Sequence, residues 1–360
     1  MNIYILCIIG VFLISTILGF LFIPMILNFC KSRQLYDIPN ARKIHKNAIP
    51  RMGGLAFIPS MLIAFTIALL IIDSQENIIK ISLWSMFFPM GLLLVYGMGI
   101  VDDILGLSPT IKFFVQILAA SFLPLAGLYI NNLYGFLGIY EIPYWIGFPL
   151  TVLTIVFIDN SINLIDGIDG LAASLSIIAL IGFFILFINQ KVWIFSILIM
   201  GLIGVLISFL YFNIFGDADN NRKIFMGDSG SLSLGFILGF LCVKYSMENV
   251  NVMPYMKVNF IIPFTFIIVP VFDVFRVFIV RIYNKKSPFM ADKSHIHHKL
   301  MRVGLSQRKA LIVILLMALF YISLNLLLLE FISNTEVFII DILIYILFNV
   351  IINKKIVKND

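Results

Sequence analysis

Between two apolar runs the chain carries Ile158 to Gly170, IDNSINLIDGIDG, in which Asn160, Asn163, Asp166 and Asp169 recur every third residue. Gly167 and Gly170 loosen the backbone beside the two acids. Carboxylates, amides and glycines at an apolar boundary suit a cation, phosphate groups and a nucleobase edge; they suit lipid poorly. Asn163 and Asp166 offer oxygen ligands with no histidine–thiolate set beside them, a donor chemistry that favours Mg²⁺ or Mn²⁺ over zinc. The same run also reads as a polar cap on the next helix, with Asp169 or a neighbour at its N-cap.

Other stretches carry similar chemistry. Val101-Asp102-Asp103 ends an apolar run, and Lys112 follows nine residues after Asp103. Adjacent acids at such a place repel each other unless they share a cation or a proton; a solvated helix end is the plainer alternative. Lys112 either meets a phosphate or reaches the interface. In Phe225 to Leu232, FMGDSGSL, Asp228 lies between glycines before another apolar run, with Ser231 placed to cap it. A helix N-terminus behind a glycine turn suits phosphate, and a carboxylate there can hold the bridging metal. The Gly-Lys-Ser/Thr ending of a Walker A loop is missing, and a simple turn and cap fits as well.

Asp273 and Arg276 stand at i, i+3, as a helix ion pair or a substrate contact. His295, His297 and His298 lie in a loop dense with Lys and Arg. Zinc is disfavoured by the scarcity of nearby acids and cysteines; histidine donors and Arg302 facing a diphosphate fit better. Arg42 to Gly54, RKIHKNAIPRMGG, offers cations for anionic headgroups or a phosphorylated substrate, or serves only as a topogenic signal. Its paired glycines would let backbone N–H groups approach a phosphate.

The elements that position these residues are membrane spans. Of 360 residues 61% are hydrophobic and only 12% charged, with a mean hydropathy of +1.06, which describes a polytopic all-α membrane protein. Cys7, Cys30 and Cys242 form no CxxC pair, so neither a disulfide frame nor a thiolate zinc site is expected. The stretch from Ile3 to about Cys30 is too long for a signal-peptide core and reads as a retained span. Eleven spans are expected, over 3–29, 53–72, 83–101, 111–130, 144–158, 171–189, 192–213, 231–247, 258–282, 310–329 and 336–353. No repeat stands out, so residues 1–360 read as one integral domain. Loops on one side hold 21 Lys and Arg against 4 on the other. The basic side is therefore cytoplasmic, with the N-terminus outside and the C-terminus inside. All the motifs fall on that cytoplasmic side.

Together these motifs, in this order from Lys43 to about Ser306, resemble the polyprenyl-phosphate N-acetylhexosamine-1-phosphate transferases. The His-Ile-His-His run followed by Arg302-Val-Gly304-Leu-Ser306 resembles the bacterial branch that uses UDP-N-acetylglucosamine and undecaprenyl phosphate. The peptidoglycan branch typically carries three consecutive histidines before a Phe-Glu pair instead. The resemblance implies a multi-pass enzyme of the bacterial inner membrane that transfers a sugar-1-phosphate to the lipid phosphate and releases UMP. It implies that Asn163 and Asp228 hold Mg²⁺ (or Mn²⁺), that Asp102 and Asp103, with Asp166, form the catalytic acids, and that Lys112 contacts phosphate. Asp169 and Gly167 would read the uracil, and His295, His297, His298 and Arg302 would surround the diphosphate and sugar. The partners implied are the UDP-sugar, the lipid acceptor and the bilayer; no nucleic acid is expected, and a homodimer is left open. Ser161 stands where relatives often carry Ala, and the insert Gly216 to Asn221 has no counterpart. Two rivals remain at this point: the same reaction with another UDP-N-acetylated sugar or UDP-MurNAc-pentapeptide, and a cation-coupled transporter, whose acids would be expected near mid-bilayer.

Overall fold

The computed structural model describes residues 3–37, 48–76, 83–217, 222–249, 256, 259–287 and 294–359. Arg42, Lys43 and Lys46, and residues 218–221 of the insert, lie outside the described residues. The helices are α1 (Ile3–Ser32), α2 (Phe57–Glu76), α3 (Phe87–Leu105), α4 (Pro109–Leu125), α5 (Tyr144–Ile165), α6 (Leu171–Asn189) and α7 (Trp193–Ile214). They continue with α8 (Asp228–Ser246), α9 (Ile261–Thr265), α10 (Ile268–Tyr283), α11 (Ile296–Arg302), α12 (Gln307–Leu328) and α13 (Asn334–Asn359). Two small antiparallel pairs add to the expected all-helical chain: β1 (Tyr36–Asp37) with β2 (Ile49–Pro50), and β3 (Asn132–Phe136) with β4 (Ile139–Glu141). The second is a two-residue hairpin whose central residues, Leu137 (φ 53°) and Gly138 (φ 75°), adopt the positive φ that such turns need.

α8 is the centre of the bundle, every residue from Ser229 to Ser246 being buried. Its sequence explains why: Gly230, Gly235, Gly239 and four serines leave little side chain to hold neighbours away. A Cβ at Gly235 would lie 2.5 Å from Asp159 Cα of α5, and one at Gly99 of α3 would lie 2.5 Å from Ser229 Cα. The start of α8 is thereby surrounded at backbone distance by the two helices that carry the acidic motifs. On the periphery, α1 exposes Leu13, Ile17, Leu21 and Met25, four residues apart, as an apolar stripe for lipid.

Nine helical stretches among the described residues are long and apolar enough to cross a bilayer, against the eleven spans expected. The fourth expected span, 111–130, forms the 17-residue α4; the chain then turns at Gly127 (φ 78°) although its apolar residues continue. The ninth, 258–282, is broken between α9 and α10. Pro270 explains the break, because it has no N–H to give the carbonyl of Phe266. The fifth, expected at 144–158, extends to Ile165 and puts Asn160 and Asn163 on a helix.

Apart from mid-span hydroxyl bonds such as Ser15 Oγ to the Gly201 carbonyl, many long-range polar contacts fall at two ends of the bundle. At one end Glu248 receives Asn132 Nδ2 at 2.6 Å, Asn334 Nδ2 donates to the Tyr134 carbonyl at 3.0 Å, and Tyr4 bonds Glu76. At the other end lie the ends of α3, α5 and α10 and the starts of α4, α8 and α11, where the motif residues sit.

Candidate active site

Asp102 and Asp103 are neighbours in sequence with separate surroundings. α3 ends at Gly106, whose φ of 70° turns the chain, and Ser108 caps α4 with Pro109 in its first turn. Asp102 Oδ1 accepts the Leu107 N–H at 2.6 Å, which fixes the carboxylate on this corner. Lys112 then places Nζ 3.1 Å from Asp102 Oδ2 and 2.5 Å from Asp228 Oδ2. Asp103 is buried against the start of α8, accepting the N–H groups of Asp228 (2.8 Å) and Ser229 (3.0 Å) and the Ser229 hydroxyl (2.7 Å). These are the donors a helix leaves unsatisfied at its N-terminus. A Cβ on Gly227 (φ 73°) would strike the Asp103 carboxylate. The two adjacent acids thus have different partners: Asp102 faces Lys112, and Asp103 caps α8 from another helix.

The end of α5 closes on the same point. Asn163 Nδ2 donates to Asp228 Oδ1 at 3.1 Å and to Ser231 Oγ at 2.8 Å. One turn deeper is a layer the sequence reading missed. Gln116 Nε2 donates to Asp159 Oδ2 at 3.0 Å, and Asn160 Nδ2 donates to Gln116 Oε1 at 2.9 Å. The signal was present, since Lys112/Gln116 and Asp159/Asn163 are both i, i+4 pairs.

Asp166 follows the last residue of α5 and is half-buried. Burial, then the charges of Asp228, Asp169 and Asp103, push its carboxyl up to about 7. Asp169 pairs with Lys223 Nζ at 2.5 Å. Gly170 (φ 76°) donates its N–H to Asn213 Oδ1 at 2.6 Å, and Asn213 Nδ2 donates to the Ile224 carbonyl at 2.8 Å. Asn213 thus ties the Asp166–Gly170 loop to the stretch leading into α8.

The Pro50-Arg51-Met52-Gly53-Gly54 run lies alongside that stretch. Gly53 and Gly54 donate their N–H groups to Phe225 and Met226, both at 2.8 Å, so these donors are engaged by backbone, contrary to the expected phosphate contact. Their small size does the work instead, because a Cβ on Gly54 would overlap Gly230 of α8. Arg51 is different: its Nε is buried with no hydrogen-bond partner among the described residues.

The histidine loop is organised by Asp273. Its Oδ2 lies 2.8 Å from His295 Nδ1, while Oδ1 takes Arg276 Nη2 (2.8 Å), the Ile296 N–H (3.0 Å) and the Tyr345 hydroxyl (3.3 Å). The i, i+3 ion pair read from sequence is present, and the same carboxylate also holds the start of α11. His297 is buried with neither ring nitrogen partnered among the described residues. Its Nε2 lies so close to Gly167 that a Cβ there would overlap it. Burial, then the neighbouring His298, hold the His297 imidazole down at about 3, so it is neutral at neutral pH. His298 is half-buried, its ring centroid 4.3 Å from that of His297. Arg302 is exposed in the last turn of α11.

The residues that sequence singled out thus form a contact cluster of Asp102, Lys112, Asn163 and Asp228, with Asp103 behind it. Asp166 feels the charges of this cluster, and Gly167 joins it to His297. A family model described as glycosyl transferase family 4 matches residues 83–246, a range that includes every member of this cluster. The chain is 32% identical over 319 residues to a Bacillus subtilis (strain 168) protein described as a probable undecaprenyl-phosphate N-acetylglucosaminyl 1-phosphate transferase, covering 86% of this chain and 82% of that one. The chain belongs to glycosyl transferase family 4. A Yersinia pestis undecaprenyl-phosphate alpha-N-acetylglucosaminyl 1-phosphate transferase is 30% identical over 79% of this chain and 74% of its own length. A Mycolicibacterium smegmatis decaprenyl-phosphate N-acetylglucosaminephosphotransferase is 30% identical over 77% and 71%. The family assignment and the helical membrane architecture agree with the expectations from sequence.

The family resemblance implies a divalent cation. Asp102 and Asp228, joined through Lys112, and the Asn163 amide beside Asp228 are hard oxygen donors with no thiolate among them, but no group of three or more His, Cys, Asp or Glu side chains among the described residues is gathered as a metal site. The Lys112 ammonium, drawn between Asp102 and Asp228, marks where positive charge is stabilised.

Proposed function

We propose that this chain transfers N-acetylglucosamine-1-phosphate from UDP-N-acetylglucosamine to undecaprenyl phosphate, forming the lipid-linked pyrophosphoryl sugar and UMP, at the cytoplasmic face of a bacterial inner membrane. The product would initiate a cell-surface glycopolymer. The observation that carries this reading is the contact of Asp102 and Lys112 with Asp228, and of Asp228 with Asn163, at one end of a bundle of apolar helices. The activities named for the relatives support the donor and the acceptor. The 21-to-4 split of Lys and Arg supports eleven crossings with the N-terminus outside, if α4 and the broken α9–α10 each count as one.

In this mechanism an oxygen of the lipid phosphate attacks the β-phosphorus of the donor in line. The bond from that phosphorus to the bridging oxygen breaks, and its electron pair leaves on UMP. Two polyanions must meet, so repulsion dominates the barrier. Lys112 lowers it by holding phosphate oxygens. The acceptor phosphate, with second pKa near ~6, is mostly dianionic at neutral pH, so Asp102 orients the nucleophile more than it deprotonates it. Asp103 keeps the start of α8 in place and does not touch substrate. Asp228, Asp102, Asp166 and Asn163 would hold Mg²⁺ (Mn²⁺ as substitute), which when bound neutralises diphosphate oxygens and stabilises charge moving onto UMP. Neutral His297, beside Gly167, donates or accepts hydrogen bonds with the donor sugar or diphosphate.

The test is transfer of label from UDP-[¹⁴C]N-acetylglucosamine into a butanol-extractable lipid by purified protein and undecaprenyl phosphate. Transfer that EDTA abolishes and Mg²⁺ restores supports the reading. Transfer only from another UDP-sugar overturns the choice of donor, and EDTA-resistant transfer overturns the cation.

A further inference from the structure

α13 lies outside every motif named above, yet it carries three polar residues spaced by one helical turn, Asp341, Tyr345 and Asn349, all buried. Polar groups on an apolar helix are costly unless they meet partners inside the protein. Each of these does. Asp341 Oδ2 accepts Asn325 Nδ2 of α12 at 2.8 Å, and the same amide donates to Thr265 Oγ1 of α9 at 2.9 Å. The Tyr345 hydroxyl donates to Asp273 Oδ1 at 3.3 Å. Asn349 Oδ1 accepts Lys299 Nζ of α11 at 2.8 Å, and its Nδ2 donates back to the Tyr345 carbonyl at 3.0 Å.

The last two contacts reach the histidine loop at the start and the middle of α11. Asp273 holds His295 and the Ile296 N–H, which start that helix. Lys299 lies one turn further on and is also buried. His297 sits between these two anchors and presses on Gly167, two residues before Asp169. Polar bonds therefore run from α13 to α11, and the packing of His297 on Gly167 carries the connection to the Asp166–Gly170 loop.

We propose that Tyr345 and Asn349 are positioning residues for the nucleotide-sugar: they set the seat of α11, and so the place of His297 over Gly167, while Asp341 and Asn325 hold α13 in register. This rests on the transferase reading above. Neither residue touches substrate. Their loss should therefore weaken the donor side of the site and leave the α3–α4 corner, where Asp102 orients the acceptor, as it is.

Tyr345→Phe removes one hydrogen bond and Asn349→Ala two, one of them the bond to Lys299, with little loss of volume. In full-length purified protein each should raise KM for UDP-N-acetylglucosamine by about 3- to 10-fold, the scale of one such bond. KM for polyprenyl phosphate should change by less than about 2-fold, a shift too small to register a lost hydrogen bond. Asn349→Asp, which keeps an acceptor for Lys299, should restore the parent value. Amides of residues 296–302 should exchange faster with D₂O in the two damaging variants, and those at the start of α8 should not. Parallel rises in both KM values, no rise in either, or unchanged exchange at 296–302 would overturn the proposal. If the parent transfers nothing from any UDP-sugar, the transferase reading fails first. Exchange in the unliganded protein then still decides whether α13 seats α11.

Discussion

Lys112 and Asp228 are 116 residues apart in the chain and 2.5 Å apart in space. The pair joins the first turn of α4 to the first residue of α8, and Asp102 completes it from α3 at 3.1 Å. Three helices thus present two carboxylates and one ammonium to a single point. That point is held by apolar packing of small residues along α8, and the polar contacts lie on top of it.

Asp228→Asn should keep the fold and lose the reaction. The N–H groups of residues 228 and 229 still reach Asp103, so the start of α8 remains capped. Removing the central charge should lower turnover by roughly 10²- to 10³-fold or more, the usual cost of one preorganised electrostatic contact. UMP release, measured beside the circular dichroism of the same sample, checks both halves.

Asp103→Ala should act first on stability. It strands two backbone donors and a hydroxyl in a buried place, at a cost of about 1–3 kcal/mol. The apparent melting temperature should fall in substrate-free protein, in contrast with Asp228→Asn. An unchanged melting temperature would refute the capping role.

Gly167→Ala should be non-additive with His297→Ala. The new methyl overlaps His297 Nε2, and overpacking of this kind costs about 1–3 kcal/mol. With the imidazole already gone its three nearest contacts, all ring atoms, are removed, so the second substitution should add little in a thermal-unfolding cycle. Full additivity would mean that the ring and the loop do not touch.

The Asp166 carboxyl, raised to about 7 by burial and by the charges around it, gives a pH signature. A carboxyl whose folded value lies above its unfolded one makes its stabilising contribution at low pH and loses it as pH rises through the folded value. In EDTA the apparent melting temperature should therefore decline between about pH 4 and about 7, from the ordinary carboxylate value to the raised one. Asp166→Asn should flatten the decline, and Mg²⁺ should abolish it by replacing the proton with a cation. An equally steep decline in Asp166→Asn would remove this residue from the site.

Much of this was legible in the residues. α6 runs over Leu171–Asn189, the span expected, because Gly170 and the Gln190-Lys191 pair bound its apolar run sharply. Hydropathy failed at α4, where apolar residues continue past Leu125 and only the turn at Gly127 ends the helix. It failed again at Pro270, where composition stays apolar across a break that follows from a missing N–H. In the site, the three-residue spacing pointed to Asn160 and Asn163, but only Asn163 meets Asp228, while Asn160 meets Gln116 one turn deeper. The division of labour between Asp102 and Asp103 was not readable, since it depends on α8 arriving 125 residues later. Asp273 looked like a local ion pair because Arg276 is near in sequence, whereas His295 and Tyr345 are near only in space. The contact of α13 with the histidine loop had no local signal at all.

The most direct test follows the phosphorus itself. Purified protein is given UDP-N-acetylglucosamine labelled with ³²P at the β-position, together with undecaprenyl phosphate and Mg²⁺. The expected result is that the label enters the lipid while unlabelled UMP is released, with neither product formed by Asp228→Asn. Label remaining in released UDP, with only sugar on the lipid, would contradict attack at the β-phosphorus and the site assigned to carry it out.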